Sequence, residues 1–391
     1  MGKFIFIPAL VGQIKNMYLK GEFWKNKPIN SFSHGCIDYY PYLLASAWWE
    51  MEDGHFHIRN MLDTPPDLQF YGDSGGYQAG RKGIEIDIPN TVQWQMDNCD
   101  YAMSFDHPPS STRVNGKSVP TKDSLYDQRT NKTYENNIRA LQLIDLSKVK
   151  YYNVMQGETL PRRDRWYNMM KDLPFHYMSV ATKPAGDPLL QAFAICHLHS
   201  KGYTGKVHVL GVGGNNVLPI FPYMKDQFEE ITVDSSSYGQ GVRTREYLVS
   251  MKRSVMLGST KSDHAAKDFK AASKSEGLKC KCPTCSLITR EEADVLWSPG
   301  SIGGALITMH NLWMVIGAVE VLNDIRSKSN LKNYKEFIQE AVLKGNHRDR
   351  LSLALEFMQE YFINGIENTY LKYIKALNID SKRVITQENL F

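Results

Sequence analysis

The run Gln69-Phe70-Tyr71-Gly72-Asp73-Ser74-Gly75-Gly76 is rich in β-formers, ends on an aspartate and turns on glycines. The same design recurs along the chain. Residues 4–8, 69–73, 102–106, 151–156, 176–182, 207–213 and 231–235 each read as a strand followed by a polar or glycine-rich turn. Stretches with helical patterning, such as 134–146 and 189–201, separate most of them. Strands alternating with helices predict a parallel sheet with crossovers. Seven runs, plus an eighth easily missed, suit an α/β fold of the (β/α)8 TIM-barrel type. A doubly wound sheet is the alternative. The strand ends favour the barrel. Asp73, Asp106, Gln156, Gly211 and Asp234 stand at or near the ends of these runs, where a barrel would gather them on one face.

The remainder of the chain reads differently. Residues 252–281 form a lysine-rich polar segment, and helices follow from about Ile302, with 351–358 the clearest. This divides the chain into a barrel core (1–250), a metal-binding subdomain with the last barrel elements (251–314), and C-terminal helices with a frayed tail (315–391). The apolar share of 42% allows a sizeable core in 391 residues. A net charge of +4 permits a polyanionic partner without requiring one. No apolar run reaches the roughly 18 residues of a membrane span. Pro8 breaks the N-terminal run too early for a signal peptide, so the expected location is cytoplasmic, away from membranes.

Of six cysteines, Cys36, Cys99 and Cys196 are scattered and read as buried thiols. Cys280, Cys282 and Cys285 form a C-x-C-x-x-C cluster, with His310 placed 25 positions later. Three thiolates and an imidazole suit a closed tetrahedral zinc site of structural type. His264 is the other candidate for fourth ligand, and a redox cluster or unliganded thiols is the competing reading. Two aspartates carry the candidate chemistry. Asp73 precedes Ser74-Gly75-Gly76-Tyr77, and Asp234 opens Asp234-Ser235-Ser236-Ser237-Tyr238. Cleavage of an N-glycosidic bond needs a carboxylate at the anomeric carbon and an acid for the leaving base, and two aspartates supply both. Either could instead be a turn or cap residue. Gly211-Val212-Gly213-Gly214 is not a dinucleotide fingerprint, because Asn216 stands where the third glycine belongs.

Together these residues resemble the tRNA-guanine transglycosylase superfamily. The resemblance rests on residues 73–78, on Asn153-Val154-Met155-Gln156-Gly157-Glu158, on 208–213, on 234–238, and on the cysteine triplet with His310. It covers roughly residues 4–314. It implies a zinc-bearing barrel with Asp234 as nucleophile, forming a covalent sugar intermediate, and Asp73 as general acid and base. It further implies that Asp106 and Gln156 read the polar edge of the base. Tyr77 and Leu210 would cover its two faces, with Ser74, Gly75, Gly157 and Gly211 completing the base site. Several features depart from the family's tRNA enzymes, among them a poor match over the N-terminal strand and residues 30–49. Ala181-Thr182 replaces a glycine pair in a pocket wall, and His107-Pro108-Pro109 follows Asp106. A compact, archaeal-like chain with an Asp-Ser-Ser-Ser-Tyr motif most resembles the phage and bacterial DNA-guanine transglycosylases. The implied partners are therefore DNA, with tRNA as the alternative, and a free 7-deazaguanine base; a homodimer or accessory proteins are further candidates. A target guanine must flip out of a duplex to react. Lysines 252, 261, 267, 270, 274, 279 and 281 with Arg253, and separately Arg162, Arg163, Arg165 and Trp166, are candidate phosphate-binding patches. A non-catalytic nucleic-acid-binding subunit is the alternative from another class; the presence of both aspartates speaks for an enzyme.

Overall fold

The structure, a computed structural model, describes residues 2–377 except 11, 77, 80–83, 108–110, 115–116, 121–122, 183–184, 215, 240–241, 243, 251–252, 259–263 and 342–347. Eight strands are β1 (Lys3–Leu10), β2 (Tyr42–Ser46), β3 (Gln69–Asp73), β4 (Tyr101–Met103), β5 (Lys150–Met155), β6 (Tyr177–Val180), β7 (Lys206–Val209) and β8 (Glu230–Ser235). They close a parallel barrel in chain order, with β8 beside β1. The expected (β/α)8 barrel is therefore present and the doubly wound alternative is not. The strand hardest to read was β2. It passes straight into the helix Ala47–Glu52 through Ser46, so no glycine or proline marks its end.

Strand β4 is shorter than its sequence suggests. It stops at Met103, and side chains of the helix Asp123–Leu143 take over the backbone beyond it. The Phe105 amide donates to Asn137 Oδ1 at 3.0 Å and the His107 amide to Thr133 Oγ1 at 2.8 Å. Two polar residues buried on a helix thus fix the loop that carries Asp106. In the pair β7–β8, His208 stands opposite Thr232 and Val209 opposite Val233. Side chains alternate with a period of two, so Thr232 and Asp234 share one face of β8.

The chain forms two compact units, one of residues 1–5, 72–234 and 322–391, the other of 6–71 and 235–321. In the first, the helix Pro188–Ser200 is buried continuously from Pro188 to Leu198. A helix apolar on every side needs cover on every side. The helical segment Arg348–Leu377, kinked at Gly365, supplies part of it. Phe193 stacks on Tyr370 at 5.3 Å and meets Phe357 edge-on at 6.1 Å, while His199 Nδ1 lies 2.6 Å from Tyr361 Oη. The two helices are also tied through Asp187. This residue accepts from the amides of Leu189 and Leu190 as N-cap, and receives Arg350 Nε at 3.0 Å together with Arg350 Nη2. In the second unit, a hairpin of Glu246–Ser250 and Arg253–Met256 is followed by the helix His264–Glu276. The helix Ser301–Lys328, of which residues 301–321 belong to this unit, is long and apolar enough to cross a membrane by length and composition, and 61% of its most apolar window is buried inside the protein.

Asp187→Ala removes both a helix cap and the partner of a half-buried guanidinium. It should lower stability by about 2 kcal/mol in urea unfolding. A change below about 0.5 kcal/mol would mean that the cap and the ion pair hold neither helix.

Candidate active site and metal centre

Three carboxyls and an amide lie at or just beyond the C-terminal ends of barrel strands. Asp234 is the fifth residue of β8 and is 7% exposed. Its Oδ1 accepts the Gly211 amide at 2.6 Å and faces His208 Nε2 at 3.2 Å. Gly211 follows β7 at φ +72°, a backbone region that glycine enters without penalty and that turns its N–H towards β8. His208 is fully buried, and its Nδ1 lies 2.8 Å from Thr232 Oγ1.

Asp73 ends β3, and its Oδ2 accepts the Gly75 amide at 3.1 Å. The next residue must be glycine for a steric reason. A Cβ on Gly76 would collide with the carbonyl oxygen and Oδ1 of Asp106. That close approach brings the turn after Asp73 against Asp106. Asp106 is 8% exposed and accepts a hydrogen bond from Gln156 Nε2 at Oδ2. Burial first, and then the nearby Asp73 charge, push the Asp106 carboxyl up to about 7. The pair can therefore retain a proton near neutrality.

The remaining expected site residues are placed as follows. Gly75, Gly157 and Gly211 all adopt positive φ, at +83°, +121° and +72°. The Gly211 amide is given to Asp234, and the Gly157 carbonyl accepts Arg163 Nη1 at 2.9 Å. Ser74 is fully buried and donates to the Ser104 carbonyl at 3.1 Å, while Ser104 Oγ accepts the Val154 amide at 3.0 Å. Its hydroxyl is thus spent on joining the ends of β3, β4 and β5. Leu210 is half-buried, with its amide on the Val180 carbonyl at 3.0 Å. Tyr77 lies outside the described residues. His208 and Thr232 were not singled out in the sequence. The signal that could have found them is the period of two running back from Asp234, combined with the β7–β8 register.

One expectation is corrected. Arg162, Arg163, Arg165 and Trp166 do not form an open phosphate-binding patch. Arg163 and Trp166 are fully buried, with Trp166 Nε1 donating to the Val154 carbonyl at 2.8 Å. Burial pushes the Arg163 guanidinium down to about 10. Arg162 is paired with Asp123 and Glu158, and Arg165 with Asp127. Two of the acidic partners, Asp123 and Asp127, lie on an earlier helix, which the local sequence does not display. Among the lysines, Lys252 and Lys261 fall outside the described residues. Lys270 and Lys274 lie 5.6 and 6.0 Å from the centre of the Trp297 ring.

In the second unit, Cys280, Cys282, Cys285 and His310 lie close together and could hold a metal ion, their donor atoms all within 4.8 Å of one another. The three sulfurs stand 3.5, 3.5 and 3.4 Å from His310 Nδ1. The surroundings fit a metal. His310 Nε2 lies 2.8 Å from the Leu248 carbonyl, which leaves Nδ1 to ligate. Tyr247 stacks on the imidazole at 3.9 Å, and its hydroxyl meets Cys285 Sγ at 3.2 Å. Asn311 takes the Leu248 amide at 3.0 Å and donates to the Glu246 carbonyl at 2.8 Å, fixing the strand beside the histidine. His264 is not part of this group. Of the three scattered thiols, Cys99 and Cys196 are buried as expected, whereas Cys36 is only half-buried.

No family model matches the chain, and no curated protein matches its sequence.

Two outcomes test this geometry. Between pH 4 and 7 the folded chain holds a proton on Asp106 that the unfolded chain has lost, since the ordinary value is 3.8 and the folded value about 7. Stability should therefore fall as pH rises through that window, and Asp106→Asn should flatten the fall by on the order of 1–4 kcal/mol. Equal slopes in both proteins would remove the buried-carboxyl account. Separately, Cys282→Ser should lower bound metal and thermal stability together in elemental analysis and calorimetry. Wild-type protein purified without stoichiometric metal would dismiss the centre.

Proposed function

We propose that this protein is a divergent member of the tRNA-guanine transglycosylase superfamily that exchanges guanine for a 7-deazaguanine base in DNA. The observation that carries the reading is the meeting of Asp73, Asp106 and Gln156 at adjoining strand ends, with Asp234 held on β8 by a backbone amide. That set suits a reaction with two displacements at one sugar carbon. In the first, an oxygen of Asp234 attacks the anomeric carbon. The bond to the base breaks, its electrons go to the departing guanine, and Asp73 supplies the proton. In the second, Asp73 takes the proton of the incoming base, that base attacks the same carbon, and the Asp234 carboxylate leaves. Two inversions give net retention.

Asp106 and Gln156 suit the polar edge of guanine. The Asp106 carboxyl, once it gives up its proton, accepts N–H groups of the base, and Gln156 brings a carboxamide donor and acceptor beside it. Thr182 follows β6, and its hydroxyl is buried without a partner among the described residues, which suits a polar substituent on the incoming base. Zinc is the metal best matched to the cysteine–histidine centre. Sulfur at ~2.3 Å and nitrogen at ~2.0 Å from one tetrahedral ion stand about 3.5 Å apart, which agrees with the 3.4–3.5 Å separations. With four protein donors no position remains for water, so the ion supplies folding energy and takes no part in the exchange. A cytoplasmic location suits three thiols kept reduced for a metal.

Radiolabelled guanine should enter DNA, and Asp234→Asn should reduce incorporation at least about a thousandfold while leaving metal content and unfolding unchanged. Incorporation into unmodified tRNA alone would keep the chemistry and change the polymer. Full activity in Asp234→Asn would remove the mechanism.

A further inference from the structure

The two oxygens of Asp234 differ in their surroundings. Oδ1 receives the Gly211 amide at 2.6 Å and faces His208 Nε2 at 3.2 Å, whereas among the described residues Oδ2 receives no hydrogen bond. We infer that His208, oriented by Thr232, is a positioning residue that commits Oδ1 to the protein and leaves Oδ2 as the reacting oxygen. The inference rests on reading Asp234 as the nucleophile.

A carboxylate only accepts, so the ring nitrogen facing it must carry hydrogen. That nitrogen is Nε2. Nδ1 is then an acceptor, and the atom beside it is Thr232 Oγ1 at 2.8 Å. Thr232 has one hydroxyl hydrogen and two candidate acceptors, Nδ1 and the Val207 carbonyl at 3.4 Å. The shorter separation favours Nδ1. His208 is fully buried and Thr232 is 1% exposed, so water cannot substitute for either contact. The β7–β8 register keeps the pair opposite one another. Asp234 and Thr232 therefore favour the same tautomer from opposite sides of the ring, and its Nε2 hydrogen is directed at Oδ1.

The consequence is largest in the second displacement. When the intermediate breaks, the bond between Oδ2 and the anomeric carbon is lost, and its electron pair returns to the carboxylate. Charge spreads onto Oδ1 as it leaves, and donors already aimed at Oδ1 stabilise it without rearranging. A chain lacking the His208 donor should form the adduct and release it slowly. Generic loss of structure would instead depress both steps.

Two measurements decide the matter, both on the full chain. Nitrogen-15 NMR of histidine-labelled protein, with the His208 signal identified by its loss in His208→Gln, should find hydrogen on Nε2 only. Thr232→Val should move it wholly or partly to Nδ1. Hydrogen on Nδ1 alone, or on both nitrogens, in the wild type overturns the inference. The second measurement follows decay of the covalent adduct on denaturing gels, using DNA and unmodified tRNA as probes and a chase of free guanine. His208→Leu should slow decay at least about tenfold. His208→Gln, which offers an N–H near the Nε2 position, should restore it to within about threefold. Decay at the wild-type rate in His208→Leu overturns the inference while leaving the transglycosylase reading intact. Absence of adduct in the wild type with both probes removes that reading, and this inference with it.

Discussion

A closed ring of backbone hydrogen bonds governs this molecule. A parallel strand left at an edge exposes a row of unpaired amides and carbonyls, and the barrel removes the problem by giving every strand two neighbours. Because all eight strands run the same way, closure also sends every C-terminal end to one rim. Residues as far apart in the chain as Asp73, Asp106, Gln156 and Asp234 thereby come to stand on strand ends of the same sense. No local sequence feature could assemble them.

Within that frame the candidate site uses one local device twice. After β3 and after β7, a glycine at positive φ turns its amide back onto a carboxylate, Gly75 onto Asp73 and Gly211 onto Asp234. A backbone donor has no rotamer to lose, so it fixes a carboxylate at lower entropic cost than a side chain does. Side chains enter where the backbone cannot reach. Gln156 holds Asp106, and His208 faces Asp234 from an adjacent strand. Gly76 serves differently, by absence, since any larger residue would push the turn after Asp73 off Asp106.

The order of these elements is legible in sequence because strand, turn and helix each leave a periodic or compositional mark. The cysteine triplet with His310 is legible for the same reason, since ligand spacing is a one-dimensional property. What escaped reading is whatever depends on a neighbour distant in the chain. Tyr42–Ser46 lacks a turn residue at its end and is recognisable only by its place between β1 and β3. Strand β4 ends early because Asn137 and Thr133, some thirty residues on, take its backbone partners. Arg163 and Trp166 looked like surface groups because their burial is decided by packing that sequence does not display. His208 and Thr232 are ordinary strand residues until the register sets them opposite each other.

The apolar helix Pro188–Ser200 has a consequence in time. Its partner, Arg348–Leu377, begins about 150 residues later, the difference between 348 and 200. A ribosome adding ~5–20 residues per second needs roughly 7–30 s to make that interval. Throughout it, Phe193 and the rest of the face destined for Tyr370 and Phe357 stay uncovered on the nascent chain. This surface therefore needs shielding during synthesis, a demand that ends only when the later helical segment docks against it.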